Sequence, residues 1–176
     1  MKYIIETDRC LLRQMNYDDF DSLKQIISDP ETMKYYRKPY DDEGVNKWIR
    51  WNLGCYEKRG FGLWAIILKE TNEFIGDCGI TLQNIDGDEV FEIGYHINKK
   101  YWRKCLASEC AKACKEWFFN NTEYNDVYSY MNVNNLGSRG VAKNNGMTFI
   151  KEYDNDGEMD AVYRITKEEY LKSIMK

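Results

Sequence analysis

Tyr101-Trp-Arg-Lys-Cys-Leu-Ala-Ser-Glu109 lies between a strand-like stretch and a helix-like one, and its reading decides the fold. Upstream, Val90-Phe-Glu-Ile-Gly-Tyr-His-Ile97 mixes β-branched, aromatic and apolar residues around one glycine, the pattern of a strand with a bulge. Downstream, Ala107, Cys110, Ala111, Cys114 and Phe118 recur at helical spacing, which predicts a helix to about Asn121. The first N–H groups of a helix lack internal partners, and its dipole favours an anion there. A strand feeding a helix through a loop that carries Arg103 and Lys104 is therefore suited to holding phosphate.

Working outward, Leu63–Leu68, Phe74–Leu82 and Val90–Ile97 are joined by turns at 70–73 and 85–89, so they predict an antiparallel meander. Val127–Val133 follows the crossover helix and should run parallel to Val90–Ile97. Earlier in the chain, Ile4–Met15 reads as two extended pieces around a turn near Thr7 and Asp8. A helix capped by Asn16 follows and stops before Pro30; a second spans Asp42 to about Lys58. Later, 137–145 reads as a short helix, and Met147–Tyr153 and Asp160–Ile165 as a hairpin around Asp154-Asn-Asp-Gly157. The pattern predicts a single α+β domain over residues 1–176, with a mixed, mostly antiparallel twisted sheet flanked by helices.

The 176 residues carry a net charge of −4, which disfavours a general nucleic-acid-binding role. Six cysteines occur without a Cys-x-x-Cys pair, and the chain has one histidine, His96. Cys110 and Cys114 fall on the apolar helix face, where free cysteine acts as a small hydrophobe, so no metal is expected. With no signal-peptide core and no membrane-spanning run, the expected location is cytoplasmic.

The order of elements, together with several local patterns, resembles the GNAT superfamily of acyl-CoA-dependent N-acyltransferases, from about Thr7 to Ile165. The branch it resembles is that of the ribosomal-protein N-terminal acetyltransferases and their small-molecule relatives. The carrying segments are Thr7-Asp-Arg-Cys-Leu-Leu-Arg13, Glu92-Ile-Gly-Tyr95, Tyr101-Trp102 with Ala107-Ser-Glu109, Asn135-Leu-Gly-Ser138 and Asn145-Gly-Met-Thr-Phe149. The chain departs from the family at Arg103 and Cys105, where the family's loop usually carries glycines.

The resemblance implies transfer of the acetyl group of acetyl-CoA, used as co-substrate, to a primary amine within a ternary complex. The amine would be a protein N-terminus or a small molecule, and the enzyme a monomer or homodimer. Residues 103 to 107 (Arg103, Lys104, Cys105, Leu106, Ala107) would hold the pyrophosphate. Tyr95, Ile97 and Asn135 would hold the pantetheine arm, the first two through main-chain groups. Glu92 would be the base; otherwise it is an exposed strand carboxylate. A backbone N–H near His96 or Ile97 would meet the thioester oxygen. The family's usual tyrosine acid is replaced by Ala142, which leaves Ser138 as candidate acid, or as the cap of its helix. Tyr35 and Tyr36, outside regular elements, are the acceptor-site candidates, since aromatic faces attract cationic amines. His96 alternates with Tyr95 and Ile97 and is read as structural. A second reading, a catalytically silent GNAT-like domain that binds CoA or a partner protein, rests on the absent glycines and tyrosine.

Overall fold

The computed structural model describes residues 2–175. Among the described residues eight strands are present: β1 (Tyr3–Glu6), β2 (Cys10–Arg13), β3 (Leu63–Leu68), β4 (Glu73–Ile85), β5 (Asp88–Ile97), β6 (Asp126–Asn132), β7 (Thr148–Asn155) and β8 (Glu158–Thr166). They form one sheet in the order β1-β2-β3-β4-β5-β6-β8-β7. Every pairing is antiparallel except that of β5 with β6, so the predicted meander and its parallel neighbour are both present. The helices are α1 (Phe20–Ile27), α2 (Asp42–Arg59), α3 (Leu106–Asn121), α4 (Leu136–Asn144) and α5 (Lys167–Ile174). Among the described residues no helix is long and apolar enough to cross a membrane.

Strand alternation builds two cores. All six residues of β3 are buried, which requires cover on both faces. Trp64 and Ile66 join Cys110, Ala111, Cys114 and Phe118 of α3 in one cluster. Leu63 and Ala65 join Leu23, Ile26 and Ile27 of α1 and Val45 and Ile49 of α2 in the other. All six cysteines are free, and four of the five buried ones belong to the α3 core, as the apolar reading of Cys110 and Cys114 requires. The α2 helix starts at Asp41, whose carboxylate accepts from the Gly44 N–H at 2.8 Å, and ends at Gly60 with φ +80°.

Two expectations are corrected. β5 carries no bulge: its register against β4 runs unbroken from Ile97 opposite Gly76 to Asp88 opposite Ile85. Gly94 has a different reason. A Cβ there would lie 3.1 Å from Glu92 Oε2, so the glycine leaves room for that carboxylate. Nor is the short helix capped by Ser138. Asn135 is the cap, its Oδ1 accepting from the Ser138 N–H at 3.1 Å, and Ser138 lies in the first turn. The final helix, α5, was not foreseen. It opens with a capping box in which Thr166 and Glu169 bond reciprocally, and it buries Tyr170 against Phe119 at 5.4 Å between ring centroids.

The parallel pairing of β5 and β6 registers at Glu92 opposite Tyr128. One step further on, the Ser129 hydroxyl bonds the Ile93 carbonyl at 2.7 Å. Beyond that point Tyr95 and Ser138 face each other from β5 and α4, the tyrosine hydroxyl donating to the Ser138 carbonyl at 3.2 Å. The site opens here.

Candidate active site

The loop after β5 begins with a short 3-10 turn at Lys99–Tyr101, capped by the Asn98 side chain. The Trp102 indole N–H donates to the Ile97 carbonyl at 2.7 Å and folds the loop back on its strand. Arg103 and Cys105 then adopt φ of +61° and +60°, the left-handed region glycine favours. The two positions where the resembled family usually carries glycine thus keep the glycine conformation despite their side chains. The α3 ladder starts with the Glu109 N–H bonding the Cys105 carbonyl at 3.0 Å, so the amides of 106–108 precede it.

A clamp from the chain's beginning fixes this helix start. Glu109 accepts from the Thr7 hydroxyl at 2.6 Å, from the Arg9 backbone N–H at 2.9 Å and from Arg9 Nε at 2.7 Å. Arg9 also donates to the Lys104 carbonyl at 2.9 Å. Burial raises the Glu109 pKa, but the Thr7 and Arg9 bonds outweigh it and hold the carboxyl below its usual range. Thr7-Asp-Arg9 and Ser108-Glu109, noted separately in the sequence, are thus one structural unit.

Beside the loop is a cavity of about 520 Å³ lined by Tyr95, Ile97, Arg103, Cys105, Leu106, Ala107 and Asn135, all anticipated. Lys104 is the exception. Its ammonium lies over the Tyr101 ring at 5.3 Å, outside the lining, and its carbonyl is taken by Arg9. The Ile97 carbonyl accepts from Trp102, which occupies one of its two lone pairs.

A second cavity of about 440 Å³ adjoins the first, lined by Tyr40, Trp48 and Trp51 from the 33–61 segment and by Glu92 and Tyr130 from the sheet. Tyr35, Tyr36, Tyr95, His96, Asn135 and Ser138 line both, and so mark the junction. Glu92 is 9 % exposed rather than an open strand carboxylate. Burial pushes its pKa up to about 7, partly opposed by the charge of His96 and the Thr81 hydroxyl at 3.4 Å. A carboxylate poised near neutrality suits proton abstraction from an amine.

His96, read from the sequence as structural, lines both cavities. It alternates with Tyr95 and Ile97, and that same alternation puts it on the face of Glu92, four residues earlier. Its Nδ1 lies 2.8 Å from Asp77 Oδ1, which also accepts the His96 backbone N–H at 3.0 Å. Of the two amides expected near the thioester oxygen, that of His96 is therefore already bonded. Asp77 is fully buried, and its other oxygen accepts from the Trp48 indole at 2.9 Å.

The family model for the acetyltransferase (GNAT) domain matches residues 9–148. The uncharacterized protein YkkB of Bacillus subtilis is 34% identical over 158 residues, 89% of this chain and 92% of that protein. A crystal structure of an acetyltransferase from Agrobacterium tumefaciens is 26% identical, covers 94% of each chain and has a TM-score of 0.80. RimL, titled a ribosomal L7/L12 alpha-N-protein acetyltransferase, shares the fold at 17% identity, with a TM-score of 0.76 over 94% of each chain. The chain belongs to the GNAT acetyltransferase family, whose acyl donor is acetyl-CoA, and is an acyltransferase.

Proposed function

We propose that this protein transfers the acetyl group of acetyl-CoA directly to a primary amine, a small molecule or a protein N-terminus, with Glu92 as general base. The observation that carries the proposal is the buried Glu92 carboxylate, with a pKa of about 7, in the aromatic cavity that joins the cavity beside the α3 start. The loop amides, Arg103 and the α3 N-terminus take the pyrophosphate; the Asn135 amide takes the pantetheine arm. Cations favour the aromatic faces of Tyr35 and Tyr36, which brings an alkylammonium to the junction. Glu92 removes one ammonium proton, and the freed lone pair attacks the thioester carbon. Six free cysteines fit a reducing cytoplasmic location for this activity.

Calorimetric titration with acetyl-CoA, with desulfo-CoA and ATP as controls, tests the first half. Micromolar binding is expected despite the absent loop glycines. Amines are then screened by CoA release, and Glu92→Gln should cut turnover by about 10²-fold or more while leaving acetyl-CoA affinity within about twofold. A protein that ignores millimolar acetyl-CoA would instead be the catalytically silent domain. Unchanged turnover in Glu92→Gln would remove Glu92 as base.

A further inference from the structure

The proposed base accounts for one proton, whereas the departing CoA thiolate takes up another when it leaves as the thiol. One buried polar group near the junction is without a use. His96 is 7 % exposed and lines both cavities, and its Nε2 has no hydrogen-bond partner among the described residues. An orphaned buried ring nitrogen costs free energy unless a hydrogen-bond partner reaches it.

The geometry points to His96 as the proton donor to the CoA thiolate, with Asp77 as the positioning residue that fixes its ring and leaves Nε2 free for the sulfur. This rests on the acetyl-CoA-dependent reading above. Three constraints hold the ring. Asp77 on β4 binds both its Nδ1 and its backbone N–H. Trp48 of α2 packs edge-on at 5.3 Å, with its own N–H on the far oxygen of Asp77. Tyr36 packs at 5.2 Å on a tilt. An Asp77 oxygen on Nδ1 keeps a proton on that nitrogen, so Nε2 is a lone pair in the neutral ring and carries the transferable proton in the imidazolium. The charged and titratable groups facing the ring are Asp77, Glu92 and Tyr36. Burial works against the imidazolium, but the charge and hydrogen bond of Asp77, with Glu92 beyond, outweigh it and raise the His96 pKa above its ordinary 6.5.

The protons balance. Glu92 takes the first from the ammonium, and the neutral nitrogen attacks. When the tetrahedral intermediate collapses, the C–S bond breaks, the sulfur keeps the electron pair, and Nε2 supplies its proton. The surplus proton on the new amide nitrogen replaces it on His96. Ammonium and acetyl-CoA thus give an acetamide, CoA thiol and one proton released from Glu92.

The test uses CoA itself and needs no acceptor. Thiolate absorbance of bound CoA is followed against pH. An imidazolium beside the sulfur should lower the thiol pKa by about one unit from ~8.5, and His96→Gln, measured at saturating CoA, should return it to the free value. Asp77→Asn should move it in the same direction. Because His96 is the chain's single histidine, ¹⁵N-histidine labelling reports it alone in the native protein. Its Nε2 signal should respond to CoA and much less to desulfo-CoA. A normal bound thiol, or the same Nε2 response to both ligands, would overturn the proposal while leaving the acetyltransferase reading intact. No CoA binding at all would overturn both.

Discussion

Glu92→Gln should stabilise the fold while removing the proposed base, and its dependence on pH is the sharper half of that expectation. The carboxyl titrates near 4.5 when unfolded and at about 7 in the folded protein, because burial disfavours the anion. A folded-state pKa above the unfolded one means the native state binds more protons between those values, so stability falls as pH rises through that window. Integrating the linkage, ionised Glu92 costs about 0.4 kcal/mol at pH 4.5, about 2 at pH 6, and about 3 above pH 7.5. A neutral glutamine of similar shape is spared that cost. The variant should therefore match the parent near pH 4.5 and exceed it by roughly 3 kcal/mol at pH 8, or about 6–12 °C in Tm. Urea unfolding of both proteins across pH 4.5 to 8.5 measures the difference directly. A difference that does not change with pH would refute the claim that Glu92 is held by burial at a raised pKa, and with it the physical basis for its role as base.

Three further outcomes are expected. Arg103→Gly and Cys105→Gly should each raise stability by about 0.5–1 kcal/mol in urea unfolding, because glycine adopts φ near +60° without the Cβ clash. Arg103→Ala should weaken CoA binding by about tenfold in calorimetry if its guanidinium meets phosphate, and unchanged affinity would leave that work to the backbone amides. Glu109→Gln should cost about 1–2 kcal/mol and weaken CoA binding, since it loosens the bonds from Thr7 and Arg9 at the helix start.

The framework of this protein was legible because periodicity reports which face is buried. The run Leu63–Leu68 and the stripe through Cys110, Cys114 and Phe118 announce a strand covered on both faces and the helix that covers one of them. The loop was legible as a place, through Arg103 and the residues after it, but not as a conformation. Nothing in the letters says that Arg103 and Cys105 accept left-handed dihedrals; the clamp from Thr7 and Arg9, which bonds Glu109 and the Lys104 carbonyl, helps hold the loop in that shape. Gly94 drew attention for the wrong reason. It invites a bulge by composition, whereas its space is taken by a side chain two residues away, a relation visible only once Glu92 has a rotamer. Ser138 lost the cap to Asn135 because both are good caps, and the chain's path into α4 decides between them. Asp77 and His96 could be paired only by knowing the register of β4 on β5, which places them directly opposite. The α5 helix had its signature in Thr166 and Glu169 and went unread.

The clamp also has a consequence for how the molecule is assembled. Thr7 and Glu109 are 102 residues apart, and Arg9 and Glu109 are 100 apart. Contacts that distant are closed late, after the local hairpins have formed. The 99–105 loop should therefore be the last region to gain protection during refolding, well after the β3–β4–β5 meander. A nascent chain would carry a complete meander before this loop could take its final shape. Trimming the first nine residues should leave much of the sheet in place while the loop's amides exchange freely with water.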